Sequence, residues 1–466
     1  MIKIQFLGAK DTVTGSRTLL RFNGKVWLID CGLFQGPKEV RDRNWEKFDI
    51  SPHEIDGIIL THAHLDHSGY LPRICSQGYN GPIYMTNGTA DLLEILLNDA
   101  AKLEEEQANY ANRSRYSNHY PAKPLFTSRD VDKCLQLRKS EKRHEWIALD
   151  ASLSVRFLNA GHIVGASMAQ FAVNLGSITR LLTFSGDVGH ERSFTLRAPE
   201  PIIETDILVL ESTYGNRLHP RNSILKELAE VINRTIGRGG VLIIPAFAVG
   251  RAQEVVYLIK LLEEKGMIAK VPVLLDSPMA NAATNIFLNH PEDQNIDTGF
   301  LNSEMPFRPA KFEMISSVDD SMLACMQNDP AIVISASGML SGGRILHHVK
   351  HRIENEKNTI LFSGFQAEGT KGRYLQEALE NGADTIRIHH EEKRIEAEIV
   401  TLDSLSSHGD YQDLLEWLSK IRKFPKHIIL NHGEIIAQES FRDKIKSRFD
   451  VDVRLASEEE IFRFWQ

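Results

Sequence analysis

The sequence predicts an α/β protein of two domains, one inserted in the other. Three observations carry that expectation. A chain of 466 residues is too long for one ordinary core. Apolar strand-like runs alternate with helical stretches along it. Strands that end in a histidine stand on both sides of a middle stretch that reads strand, helix, strand, helix. The expected division is an outer domain of residues 1–212 and 391–466 with a second α/β domain, 213–390, inserted in it.

Composition narrows the class. With 42% hydrophobic and 25% charged residues the chain is an ordinary globular protein. No apolar run reaches the roughly 18 residues of a membrane span. The opening "MIKIQFLGAKDTVTG" alternates like a strand and lacks the apolar centre of an export signal, so a cytoplasmic protein without a membrane partner is expected. Cys31, Cys75, Cys134 and Cys325 are scattered, which argues against a disulfide framework or a thiolate metal site. Any metal must then be held by histidines and carboxylates. The net charge of −8 excludes a generally basic coat but leaves room for a local basic groove.

The elements come in this order. "GKVWLIDCG" is an apolar strand ending in Asp30, "DGIILTHAH" runs into His62, and "GPIYMT" leads to a helical stretch. "LSVRFLNAGHIVGAS" is a strand and then a loop with His162. "AQFAVNLG" and "RLLTFSGDVG" form a hairpin whose second strand leads to Asp187, and "DILVLESTYG" ends at Glu211. In the middle, "PAIVISASGML" and "NTILFSGFQAEGTKG" are buried strands followed by glycine-rich turns. Toward the end, "IVTLDSLSSHGD" and "KHIILNHGE" are short strands leading to His408 and His432.

The densest chemistry is "THAHLDHSG". His62 and His64 are two apart on a strand tip, so both imidazoles can face one ion. Asp66 and His67 lie past the turn and can face a second. Imidazole and carboxylate without thiolate suit zinc or another first-row divalent ion. A lone turn histidine or aspartate is ordinarily a cap or a solvated group. His162, Asp187 and His432, however, share the strand-tip setting and are expected to complete the set.

A second feature is "SASGMLSGGRILHHVKHR". Its small residues and glycines expose backbone N–H groups ahead of a helix, an arrangement that holds anions. Ser335, Ser337, Gly338 and Arg344 are candidates for binding a phosphate, and Arg251 in "PAFAVGRAQE" for a nucleic-acid contact or a structural role. Phe462, Phe464 and Trp465 near the C-terminus offer either a contact between two copies or core packing.

The spacing H-x-H-x-D-H over His62–His67, with the later G-H, S-G-D and H-G-E stretches, resembles the metallo-β-lactamase fold. The resemblance implies an αββα sandwich with a two-metal site at one edge. It implies that His62, His64 and His162 bind one zinc, that Asp66, His67 and His432 bind the other, and that Asp187 bridges them. Asp30 matches the family's first aspartate, which orients the ligand loop. Glu211 in "LVLESTYGNR" resembles the acidic motif opening the β-CASP insertion, and His408 that branch's histidine motif. Residues 213–390 are then the β-CASP domain.

Within that branch the chain resembles bacterial and archaeal ribonucleases related to the eukaryotic pre-mRNA 3′-end-cleaving endonuclease. The likeness implies hydrolysis of RNA phosphodiesters, endonucleolytic and also 5′-exonucleolytic, with two Zn2+ per chain. It also implies single-stranded RNA as substrate and a homodimer as assembly. His408, Glu211 and Asp66 become the catalytic candidates, with His408 as proton donor held by Glu211. A DNA nuclease, a small-ester hydrolase and a scaffold that has lost its ligands are the rival readings. The filled ligand positions and the Glu211/His408 pair weigh against the last two.

Overall fold

Alternation of apolar residues in the first thirty positions gives three strands in the computed structural model, β1 (Ile2–Phe6), β2 (Thr18–Phe22) and β3 (Lys25–Ile29). The structure describes residues 1–114, 121–220, 223–296, 307–364, 366, 369–378, 380–402, 405–457 and 460–465. The chain divides into two units. The first is Met1–Arg192, Arg197–Leu218 and His408–Gln466, and the second is Ser193–Leu196 and His219–Ser407.

The first unit continues with β4 (Gly57–Ile59), β5 (Ile83–Thr86), β6 (Arg138–Glu141), β7 (Ile147–Ala148), β8 (Leu153–Asn159), β9 (Ser167–Asn174), β10 (Thr179–Phe184) and β11 (Ile207–Glu211). The second unit contains β12 (Leu242–Pro245), β13 (Val273–Leu275), β14 (Phe312–Met314), β15 (Ile332–Ser335), β16 (Thr359–Phe362), β17 (Thr385–Ile388), β18 (Glu391–Arg394) and β19 (Glu398–Thr401). The chain then returns to the first unit with β20 (His427–Asn431), β21 (Asp452–Leu455) and β22 (Ile461–Phe464).

The first unit holds two seven-stranded sheets, ordered β22-β1-β2-β3-β4-β5-β6 and β21-β20-β11-β10-β9-β8-β7. Ile4, Phe6, Leu20 and Trp27 of the first sheet share one core with Phe157, Phe171, Phe184 and Val209 of the second, so the sheets pack face to face. Leu19, Leu28 and Ile58 point the other way and are equally buried. Both faces of that sheet are therefore covered, as a sandwich between helices requires. Phe462 and Phe464 belong to this core, with Phe462 edge-on to Phe6 at 5.9 Å. Of the two roles open to the C-terminal aromatics, these two residues take core packing.

The second unit is built on a six-stranded parallel sheet, β14-β13-β15-β12-β16-β19. The β-branched runs in "VLIIP" and "AIVIS" are buried on both faces, as a parallel sheet demands. The division differs from the expected one at its second boundary. Residues 391–407 lie in the second unit because β19 pairs with β16, Thr359 facing Glu398. Sequence alternation registers the strand but not its backbone partner. Among the described residues no helix is long and apolar enough to cross a membrane.

One turn in this unit breaks a local rule. β17 and β18 are joined by two residues, with Ile388 paired to Glu391. Both linking residues, His389 and His390, sit at positive φ, 47° and 68°. Such hairpins favour glycine at the second position, because a Cβ there crowds the backbone. His390→Gly should raise the unfolding free energy by about 1 kcal/mol in denaturant titration. A loss of stability would mean that the imidazole contributes more than its backbone strain costs.

Candidate metal centre

Six strands of the first unit end at one edge, and each delivers a polar residue there. β3 and β4 run parallel, and β10, β11 and β20 run parallel in the other sheet. β8 is antiparallel to β9, which is antiparallel to β10, so β8 shares the direction of β10. At or just past these carboxyl ends stand Asp30, His62, His162, Asp187, Glu211 and His432. Loops beyond strand ends are where a rigid sheet presents its chemistry. The approach is too close for larger residues at two points. A Cβ on Gly32 would lie 1.6 Å from the Asp66 carbonyl oxygen, and one on Gly186 (φ 55°) 2.8 Å from the Thr61 Cβ.

Two groups of ligand atoms result, each with its members within 4.8 Å of one another: His62, His64, His162 and Asp187, and Asp66, His67, Asp187 and His432. Asp187 belongs to both. One of its oxygens lies 3.4 Å from His62 Nε2 and 3.6 Å from His162 Nε2. The other lies 3.2 Å from His67 Nε2 and 3.4 Å from His432 Nδ1. A third group joins Asp187 to Glu211 and His408.

Three features test whether these groups fit a metal. His64 Nδ1 faces His162 Nε2 at 3.1 Å, and His67 Nε2 faces His432 Nε2 at 3.0 Å. Two nitrogens each about 2.0–2.1 Å from a tetrahedral zinc would stand about 3.3 Å apart. His62 Nε2 and one Asp187 oxygen are buried without a hydrogen-bond partner, which is costly unless something else meets them. The donor set of imidazoles and carboxylates also suits zinc. The residues fit.

Hydrogen bonds aim the ligands. Asp30 accepts from the Thr61 N–H (2.8 Å) and hydroxyl (3.0 Å), and faces His67 Nδ1 at 2.7 Å, which leaves His67 Nε2 for the centre. The Thr61 hydroxyl also faces His62 Nδ1 at 3.1 Å, leaving Nε2 inward. The Thr213 hydroxyl lies 3.3 Å from His432 Nδ1. Thr61 and Thr213 were not legible as site residues, although each stands within two positions of a strand-tip candidate.

Electrostatics sorts the imidazoles. Burial, reinforced by the neighbouring histidines, pushes His62 and His162 down and takes His64 to about 3. These three are neutral near pH 7, the form that ligates. Burial also opposes protonation of His67, but Asp187, Asp30 and Asp66 outweigh it and hold its pKa up. Burial disfavours the charge on Asp187, yet His432, His67 and His62 keep it well below the usual carboxylate range.

His408 is different. Its Nδ1 is 3.1 Å from Glu211 Oε1, and its Nε2 turns to Asp187 at 3.8 Å. Glu211 is buried and anchored by the Val188 N–H (2.8 Å) and the Thr213 N–H (3.2 Å). Burial would push His408 down, but Glu211 and then Asp187 raise it to about 9.

The phosphate candidates lie in the second unit. Ser337 accepts the Ser341 N–H at 2.9 Å in the turn that also holds Gly338. Arg344 is partly exposed and donates to Asp276 at 2.9 Å. Two candidates are turned inward instead. The Ser335 hydroxyl donates to the Asp276 carbonyl at 2.6 Å, and the buried Arg251 guanidinium is spent on Glu254 at 2.6 Å. The helix that starts at Arg251 packs its first turn into the unit, which sequence position alone did not reveal.

Comparison with known proteins agrees along the chain. Residues 12–150 match the metallo-β-lactamase superfamily, 252–375 the β-CASP domain, and 392–456 a Zn-dependent metallo-hydrolase RNA specificity domain. Ribonuclease TTHA0252 of Thermus thermophilus is 36% identical over 93% of this chain and 93% of its own. Transcription termination factor FttA of Methanocaldococcus jannaschii is 29% identical over 96% of this chain and 69% of its own. A protein of unknown function from Enterococcus faecalis shares the fold, with a TM-score of 0.54 at 13% identity over 99% of both chains.

Because Asp187 serves both ligand groups, Asp187→Asn should strip bound zinc from both, read as metal per folded chain after dialysis. Full retention of metal would sink the bridging role.

Proposed function

Because the chain belongs to the β-CASP branch of the metallo-β-lactamase superfamily, we propose that its strand-edge centre cuts single-stranded RNA with two zinc ions and a histidine acid. It is a metal-dependent hydrolase of RNA. The finer reading is endonucleolytic cleavage, with 5′-exonucleolytic trimming by the same chemistry, in the cytoplasm. The observation that carries it is the Glu211–His408 pair beside the bridging Asp187.

His62, His64, His162 and Asp187 would hold one ion, and Asp66, His67, His432 and Asp187 the other. When bound, the ions supply a water of lowered pKa and neutralise charge building on the scissile phosphate. The protein's own groups do the rest. The Asp66 side chain is 18% exposed, against 1% for Asp187, 2% for His67 and 3% for His432, and is the ligand carboxylate that would meet and orient the attacking water. His408 holds a proton at Nε2 and delivers it to the departing 3′-oxygen. Glu211, fixed by two backbone N–H groups, keeps that imidazole oriented and protonated. The products carry 5′-phosphate and 3′-hydroxyl ends. Ser337, Gly338 and Arg344 of the second unit are the candidates for a phosphate contact.

The deciding experiment uses zinc-loaded protein and single-stranded RNA labelled separately at each end, beside matched DNA. Internal fragments with 5′-phosphates are expected, and cleavage of the DNA alone would overturn the reading. His408→Ala should lower turnover by about 10²–10⁴-fold with both zincs retained. A wild-type rate in that variant would remove His408 as the acid.

The pH profile tests Glu211. His408 acts in its protonated form, which is lost as pH rises through its raised pKa of about 9. Glu211 is the first of the groups that raise it, so Glu211→Gln should move the alkaline limb of kcat to lower pH. An unmoved limb would detach Glu211 from the proton donor.

A further inference from the structure

Arg17, just ahead of β2, is a buried cation, 5% exposed. Burying a guanidinium is costly unless its charge and its donors are met. Ring faces meet the charge. The guanidinium carbon lies 3.9 Å from the Tyr70 ring centroid, 4.7 Å from that of Phe34 and 5.5 Å from that of Phe48. Phe48 stacks on Tyr70 at 5.8 Å and closes the cage. The donors go to two places. Nε donates to the Gly32 carbonyl at 2.8 Å, and Nη2 to the Asn44 side-chain oxygen at 3.3 Å. Asn44 in turn accepts the Phe34 N–H (2.9 Å) and donates to the Phe34 carbonyl (2.8 Å). One planar fork thus fastens the loop after β3 at two points.

That loop backs the ligand turn. The N–H groups of Leu33, Ser16 and Cys31 donate to the carbonyls of Leu65, Asp66 and His67, at 2.8, 2.8 and 2.7 Å. Asp66 and His67 both belong to the second ligand group. Gly32 lies between Cys31 and Leu33, and its own N–H donates to the Ser16 carbonyl at 3.0 Å. Asp30, which aims His67, immediately precedes Cys31. The Tyr70 N–H donates to the Cys31 carbonyl at 2.9 Å, so the cage and the ligand turn share one backbone lattice. The first group is anchored differently. His62 and His162 come from the end of β4 and the loop after β8. His64 shares the turn, but its carbonyl is held within it by the His67 and Ser68 N–H groups.

We propose that Arg17 is a positioning residue for Asp66 and His67, which with His432 and Asp187 form the second ligand group. The inference rests on the two-zinc reading of the centre and adds an asymmetry to it: one ion depends on a caged guanidinium and the other does not. A lysine keeps the charge between the rings but cannot hold Gly32 and Asn44 together, because its ammonium is a point where the guanidinium is a fork. Asp66 and His67 then ride on a looser loop, and metal affinity follows how firmly the ligands are held.

The test reads zinc affinity by competition with a chromophoric chelator, in two backgrounds that each disable one group. In His162→Ala protein, where the second group remains, Arg17→Lys should weaken zinc binding about tenfold. In His432→Ala protein, where the first group remains, it should leave binding unchanged. Phe48→Leu loosens the cage with Arg17 in place. It should show the same selectivity in smaller measure, and it carries the test if Arg17→Lys does not fold. Phe462→Leu, in the sandwich core, should lower thermal stability and move neither affinity. Equal weakening in both backgrounds would make Arg17 a purely structural residue and overturn the proposal, as would no weakening in either. A wild-type chain that binds a single zinc would instead remove the two-zinc reading, and the proposal with it.

Discussion

A single buried carboxylate organises the centre. Asp187 lies within 3.2–3.8 Å of five imidazoles, those of His62, His67, His162, His408 and His432. Taking a carboxylate out of water costs several kcal/mol unless cationic or hydrogen-bonding groups meet it. The fold supplies them from separate strand ends and the turns beyond. That demand explains local details. β10 must stop at Phe184 and bend at Gly186, where the positive φ and the contact with Thr61 exclude a side chain. β4 must stop three residues short of His62, so that Thr61 can hold Asp30 and His62 at once.

The same geometry makes the site depend on contacts remote in sequence. His67 and His432 face each other across 365 residues of sequence, with the whole second unit between them along the chain. Bringing them together costs chain entropy, though that cost grows only slowly with loop length. A bound metal would add its binding free energy to that of the folded state. The first unit, unlike a zinc finger, has a large core of its own through Phe6, Phe157, Phe171 and Phe462, so metal completes the edge without having to create the fold.

How much of this was legible depended on how local each signal was. His62, His64, Asp66 and His67 are crowded into six positions, and their chemistry was readable without any fold. His162, Asp187 and His432 were readable because each comes after an apolar run and so had to sit at a strand end. Thr61 and Thr213 were not, since a threonine near a histidine or glutamate is unremarkable until its hydroxyl is seen on a ring nitrogen. Arg251 and Ser335 had the residue types and turn positions of anion ligands, but Glu254 and the Asp276 carbonyl claim them. The backbone pairing just past residue 391 was not legible for the same reason. The strand at Glu398–Thr401 is visible as alternation, whereas its pairing to Thr359–Phe362 is a tertiary fact.

The sharpest division of labour lies between two neighbouring rings. His162 and His408 are 4.5 Å apart, centroid to centroid, and both face Asp187. Burial acts on both in the same direction. One is nevertheless held well below its ordinary pKa, and the other is raised to about 9. The difference is Glu211, whose carboxylate meets His408 Nδ1. His162 instead faces His64, a second imidazole that offers it no negative charge. One carboxylate at the end of β11 thus sets the protonation of one ring apart from that of its neighbour, and in the proposed mechanism that ring is the proton donor. Environment rather than residue type assigns these roles. An isosteric amide at position 211 would narrow the distinction, leaving Asp187 and Asp66 to raise His408.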